Sequence, residues 1–370
     1  MTDVFAYYFP QFYETVENSE WWGQGFTDWQ LVKTAVPLYP GHYQPRIPAM
    51  GFLDQSEHST LKKQIKLANE YAITGFNIYH YWFNGKVHLG NPAEIILNDK
   101  SLDIKIMFTW ANESWTRQWI GKPTDFLIKQ NYYSSESDVK EHYNYFSSFF
   151  KDKRYYTIDN KPVFSIYRPE LIPDLSDFID LFNKFAIEDG FAGIYFLACR
   201  SYNLVDAYKY YCKFDGIINF NPRFAINTSL KKTKLSFLES IARKFPEFLQ
   251  AHLSAKLHKR NKITIYSYRD YLNSMSQARN FLNDIPVYHS IFPDWDNTAR
   301  YKNKATLFNN VDVECYKSAL QISYDGLTKQ HKKMMFINAW NEWSEGAYLE
   351  PDIKSGLSYL QATRKIHDFR

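Results

Sequence analysis

Short apolar runs recur along the chain, each giving way to polar and aromatic residues, and most are separated by stretches with helical spacing. The runs are Val4–Phe9, Ile73–Tyr79, Ile104–Trp110, Pro162–Tyr167, Gly193–Ala198, Phe214–Asn219, Pro286–Ile291 and Met334–Ala339. Between them, Thr60 to Tyr71 carries Leu61, Ile65, Leu67 and Ala68 on one stripe, and Glu136–Phe150 and Asp177–Glu188 read as further helices. Nearly continuous apolar strands belong to a parallel sheet covered on both faces. Eight of them alternating with helices predict an α/β fold, a single (β/α)8 TIM-like barrel over residues 1–370 with long βα loops. A doubly wound sheet is the competing fold, but no Gly-rich phosphate turn follows any of these strands. An insertion at about 229–283, between the sixth and seventh strands, exceeds what a crossover needs and is expected to be helical.

Composition narrows the class. With 29 Tyr, 29 Phe and 10 Trp, aromatic residues reach 18% of the 370, a supply of flat apolar faces with polar edges that suits sugar rings as well as protein interiors. A net charge of +4, scattered along the chain, gives no footprint for nucleic acid. Three widely spaced cysteines, Cys199, Cys212 and Cys315, read as reduced thiols, and Asp3–Pro10 already has the look of a first strand rather than a signal peptide. No apolar run is long enough to span a membrane. A cytoplasmic protein is expected. Lys231 to Lys262 is strongly basic and Leu235, Leu238, Ile241, Ala242 and Phe245 give it an apolar side; a solvated helix on the barrel is one reading, peripheral contact with an anionic membrane the other. Oligomeric state is not legible.

Barrels of this kind carry their chemistry on the loops after the strands. The last strand ends in Trp340-Asn-Glu-Trp-Ser-Glu-Gly346, with Glu342 and Glu345 three apart among Trp340 and Trp343. Paired carboxylates on an aromatic floor suit glycoside chemistry, one managing the leaving group's proton while the other assists attack at the sugar. The alternative is two acids that cap a helix or pair with arginines. A second Asn-Glu pair, Asn112-Glu113, follows the third strand and suits a sugar hydroxyl or an ion pair with Arg117 better than catalysis. Tyr7, Trp22, Trp29, His80, Trp82, Trp110, Trp115, Arg168, Trp295, Asp296 and Asn341 complete the expected substrate-binding set, with Trp21, His42 and His289 as further candidates. Asp294 and Asp296 bracket Trp295, but without a His pair or a dense acidic loop no metal and no cofactor is expected. Neither a P-loop nor a Ser/His/Asp elbow occurs.

Tyr7-Tyr-Phe-Pro-Gln11, Trp21-Trp-Gly-Gln-Gly-Phe-Thr-Asp-Trp29, Pro40-Gly-His-Tyr-Gln-Pro45, Tyr79-His-Tyr-Trp-Phe-Asn84, Trp110-Ala-Asn-Glu-Ser-Trp115, Trp295-Asp-Asn-Thr298 and the Trp340–Gly346 motif together resemble the WbsX-like family of O-antigen and capsule gene clusters. Its members are often labelled glycosyltransferases, and their barrel is similar to that of glycoside hydrolase family 99, the endo-α-mannosidases. The resemblance implies that Glu342 and Glu345 match the family 99 catalytic pair in type, spacing and strand. It further implies an endo-acting, retaining route in which one carboxylate deprotonates the sugar's own 2-hydroxyl to form a 1,2-anhydro sugar. The other acts as acid and then as base, for which Glu345 would need a raised pKa, with Trp340 or Trp343 desolvating it. The implied partner is an oligo- or polysaccharide, in one version lipid-linked. A glycosyltransferase of O-antigen or capsule assembly is the alternative function; Asp294-Trp-Asp296 is literally Asp-x-Asp but lies late in a barrel.

Overall fold

A computed structural model describes residues 2–230, 263–327 and 332–368. Its centre is a closed barrel of eight parallel strands: β1 (Asp3–Tyr8), β2 (Gly75–Phe83), β3 (Lys105–Trp110), β4 (Lys161–Ile166), β5 (Tyr195–Arg200), β6 (Gly216–Asn219), β7 (Ile285–Ile291) and β8 (Met334–Ile337). Each pairs with the next. β1 closes the ring by pairing with both β8 (Asp3 opposite Met334) and β2 (Phe5 opposite Gly75). The expected fold is the observed one. At the β1–β2 seam, a Cβ on Gly75 would fall 2.4 Å from the Lys105 carbonyl oxygen and 2.8 Å from the Phe5 ring. Only glycine lets three strands meet there.

The interior is aromatic rather than aliphatic. Tyr7 lies 5.7 Å from Tyr79, 5.1 Å from Phe220 and 6.3 Å from Phe336, ring centre to ring centre. Edge-to-face contacts of this kind fix ring orientations as well as burying area. Outside, α1 (His58–Glu70), α2 (Glu136–Phe150), α3 (Leu175–Glu188), α4 (Tyr268–Ser276), α5 (Val313–Asp325) and α6 (Ser358–Arg364) cover the strands. α2 starts where Ser135 caps the Asp138 amide, and its Phe146 packs on Phe164 of β4 at 4.9 Å.

The insertion is mixed rather than purely helical in its described part. Thr264–Ser267 forms a strand parallel to Thr306–Asn309, followed directly by α4. Lys231 to Lys262, the basic stretch with its apolar side, lies outside the described residues. Among the described residues no helix is long and apolar enough to cross a membrane.

Candidate active site

Two asparagines shape the mouth of the barrel in the same way. Asn341, just past β8, accepts from the Phe9 amide (2.8 Å) and donates to the Phe9 carbonyl (3.0 Å), splinting the end of β8 to the end of β1. Asn112, just past β3, accepts from the Arg168 amide (2.8 Å) and donates to the Arg168 carbonyl (2.7 Å), splinting β3 to β4. In each case a buried amide satisfies the backbone of the neighbouring strand end, and the glutamate that follows is delivered into the mouth. That is the physical content of the two Asn-Glu pairs.

Glu342 and Glu345 both line a cavity of 190 Å³ at this end of the barrel. A single guanidinium joins them. Arg300 Nη1 lies 2.9 Å from Glu345, while Nη2 lies 3.3 Å from Glu342 and donates to Asp28 at 2.8 Å. Gln11 Nε2 donates to both oxygens of Glu342, at 3.2 and 3.0 Å. Burial pushes the Glu342 carboxyl up, to about 8, with Glu345 and Asp28 adding to the shift and Arg300 and Gln11 opposing it. The result is a carboxylate of enhanced basicity.

The local turn explains how both glutamates reach one arginine. Trp343–Glu345 is a single 3-10 turn closed by Gly346 at φ +68, and the Asp296 amide donates to the Glu345 carbonyl at 2.8 Å. A Cβ on Gly346 would stand 3.0 Å from the backbone nitrogen and oxygen of Asp296. Beneath the turn Trp343 Nε1 donates to Glu350 (2.6 Å), which also accepts from Gln64 (2.6 Å), whose Oε1 accepts from Tyr8 (2.8 Å). Trp343 stacks on Tyr348 at 3.7 Å.

The aromatic wall of the cavity comes mainly from the end of β2 and the loops after β1 and β3. Trp21, Trp22, Tyr79, Tyr81, Trp115 and Trp119 line it, together with Glu113, Tyr167, Phe220 and Arg223. Trp22 stacks on Trp119 at 5.5 Å, and Trp119 lies under Arg300 at 4.8 Å. Of the expected set, Trp22, Trp115, Glu113, Glu342 and Glu345 therefore share one cavity. Arg168 stands behind it, in ion pairs with both Glu113 and Glu170.

Others lie elsewhere. β2 continues to Phe83 instead of ending at Tyr79, so side chains alternate through the motif: Tyr79 and Tyr81 face the cavity while His80 and Trp82 turn outward onto α2. His80 bonds His142 at 2.9 Å, and Trp82 stacks on His142 at 4.6 Å. Trp110 packs on His142 and Phe178 for the same reason. Tyr7 is in the barrel interior against Cys199, and Trp29 lies beside Phe12 and Trp343 with its indole donating to the Leu53 carbonyl. Trp340 packs on Phe76, away from Glu345, and Trp343 is turned toward Glu350. Trp295 is buried beside Asp294 and Asp296, which are bound to Arg46, with His42 on Asp296 at 2.8 Å. His289 pairs with Asn219. No group of three or more His, Cys, Asp or Glu side chains placed to hold a metal occurs among the described residues.

Sequence reasoning missed Arg300, Asp28 and Gln11. Each stands in or beside a motif already noticed, Gln11 closing the first, Asp28 preceding Trp29 and Arg300 following Trp295-Asp-Asn-Thr298. An arginine two residues beyond a strand-end motif was the available signal.

Residues 4–363 match the family model described as glycosyltransferase WbsX. The curated relative WxcX of Xanthomonas campestris pv. campestris strain B100, an uncharacterized protein, is 31% identical over 369 residues. That alignment takes in 97% of this chain and 49% of the relative, so the chain spans about half the length of the curated relatives it matches. Among solved structures, the family 99 endo-α-mannosidase of Bacteroides thetaiotaomicron superposes with a TM-score of 0.56 at 14% identity, covering 99% of this chain and 96% of that one. A glycoside hydrolase-like protein superposes at 0.59 with 13% identity, over 99% and 93%. Those likenesses concern the fold. By sequence, the chain belongs to the WbsX glycosyltransferase family.

Proposed function

We propose that this protein is a carbohydrate-active enzyme, a retaining glycoside-processing enzyme that works on bacterial surface polysaccharide or its precursor with Glu342 and Glu345 as the working pair. The observation that carries the reading is the joining of both carboxylates to Arg300 at an aromatic-walled cavity. Burial raises the pKa of Glu342, so that once ionised it is a strong base, which suits removal of the proton from O2 of the sugar. O2 then attacks C1 as the C1–O bond to the leaving group breaks, and Glu345 passes its proton to the departing oxygen. The resulting 1,2-anhydro sugar is opened at C1 by water, which loses its proton to Glu345 while O2 takes one back from Glu342. The anomeric configuration is retained after two inversions. The family 99 resemblance of the fold and the Glu-x-x-Glu-Gly setting supports this route.

The family's description favours a second reading, a glycosyltransferase of O-antigen or capsule assembly that takes its sugar from a nucleotide donor. The product anomer and any requirement for a sugar nucleotide, measured on polysaccharide from the same strain, separate the two. Glu345→Gln should lower turnover by at least about a hundredfold on ordinary glycosides and spare substrates with an activated leaving group. Equal losses on both would take Glu345 out of the acid role. A trapped glycosyl ester on Glu342 would replace the anhydro route with double displacement.

We also place the enzyme in the cytoplasm as one barrel domain, meeting its glycan at the inner membrane face. Flotation with anionic vesicles at low salt tests that, through the basic stretch at 231–262.

A further inference from the structure

The cations of the cavity are not all used. Arg300 is committed to three carboxylates, and Arg168 behind the wall is committed to Glu113 and Glu170. Arg223, the first residue after the cis Asn221-Pro222 turn beyond β6, also lines the cavity. Among the described residues its side chain has no hydrogen-bond partner and no carboxylate within ion-pair distance. Its neighbours are the Tyr167 and Tyr202 phenols, and the charges acting on it from further off are those of Glu113 and Glu345. Arg223 and Glu345 line the same cavity, where the reading above puts the departing or accepting group.

A guanidinium drawn half out of water without a partner is costly, and its planar fork matches carboxylate or phosphate oxygens two at a time. Neutral hydroxyls would use only part of that capacity. We propose that Arg223 forms an anion subsite, so that the glycan residue bound beside it carries a negative charge, as a uronate carboxylate or as a phosphate. The inference rests on the functional reading for the ligand being a glycan, and on the cavity alone for the existence of the subsite. Repulsion from Glu113 and Glu345 is reduced because Arg168 and Arg300 hold them.

Binding without turnover tests it. Tryptophan fluorescence is the readout, because Trp21, Trp22, Trp115 and Trp119 line the same cavity. The wild-type chain should bind D-glucuronate or glucose 6-phosphate about tenfold or more tightly than D-glucose, the scale of a charge-assisted hydrogen bond. Whichever of the two anions shows the preference identifies its source. Arg223→Gln should erase the preference without lowering Tm, whereas Arg223→Lys should keep part of it. Should the glutamine variant not fold, the lysine variant decides, since a loss of fork geometry must cut the preference about threefold or more. Equal affinity for the charged and neutral sugars in the wild type overturns the proposal, as does a preference that survives either substitution in full. Because no bond is broken in this measurement, its failure leaves the roles of Glu342 and Glu345 untouched, and their failure leaves the subsite standing.

Discussion

Arg300 carries more of the site's electrostatics than either glutamate it holds. Removing its charge makes the Glu342 carboxylate harder to form, so in Arg300→Gln the rising limb of kcat/KM with pH should move to higher pH, from a wild-type limb near 8. The same substitution takes the guanidinium from two buried carboxylates, Asp28 and Glu342, and from the partly exposed Glu345, and should cost about 3–5 kcal/mol of stability, read by denaturant unfolding. Glu342 itself gives a prediction of stability. Its folded-state pKa lies above the unfolded value of 4.5, so the native state holds the proton more tightly, and its contribution is fully present in acid and is lost as pH rises toward 8. Glu342→Gln should therefore show a smaller fall in Tm between pH 5 and pH 8 than the wild type; an unchanged fall would mean the carboxyl titrates normally. Among the tryptophans, Trp115→Ala should weaken glycan binding by about 1–2 kcal/mol, while Trp29→Ala should lower Tm and act on binding only through the turn it supports. Glu342 and Glu345 were legible because two acids and two tryptophans at a strand end have few structural uses. Arg300, Asp28 and Gln11 were not, because each is a single polar residue whose partner is fixed only when distant loops are brought together.

At the scale of elements, the strands were readable because each is an apolar run bounded by polar residues, and every one of the eight was expected close to where it lies. The ends were less readable. His80-Tyr-Trp-Phe83 looks like loop chemistry, but β-branched and aromatic residues also extend a strand, and here β2 continues through all four, with β3 pairing as far as His80. That one extension decides which side chains of the motif face the cavity. The turn at 343–346 is the opposite case, short and locally determined. Gly346→Ala would put a side chain at positive φ and drive it into the Asp296 backbone, so a loss of about 1–2 kcal/mol from the backbone alone is expected, with kcat falling more than glycan affinity. An unaffected kcat would mean that the turn tolerates the displacement without moving Glu345.

Across the molecule, β1 is held on both sides by barrel strands, and its loop supplies Gln11 and Asp28 to the site. If residues 1–370 are one folding unit, tryptophan fluorescence and far-UV circular dichroism should report a single coincident transition, and two separated transitions would divide the chain. The basic stretch at 231–262 was visible as charge, but charge alone does not say whether it faces lipid or barrel. The cavity, meanwhile, is lined unevenly: most of its rings come from β2 and the loops after β1 and β3, whereas Arg223, Arg300, Glu342 and Glu345 come from the loops after β6, β7 and β8. A pyranose is itself two-sided, with C–H bonds gathered on one face in some epimers and scattered in others. Inverting a single hydroxyl turns a smooth face into a broken one, so if the proposed sugar lies against these rings, stereochemistry is read across the breadth of a ring before any individual hydroxyl is recognised.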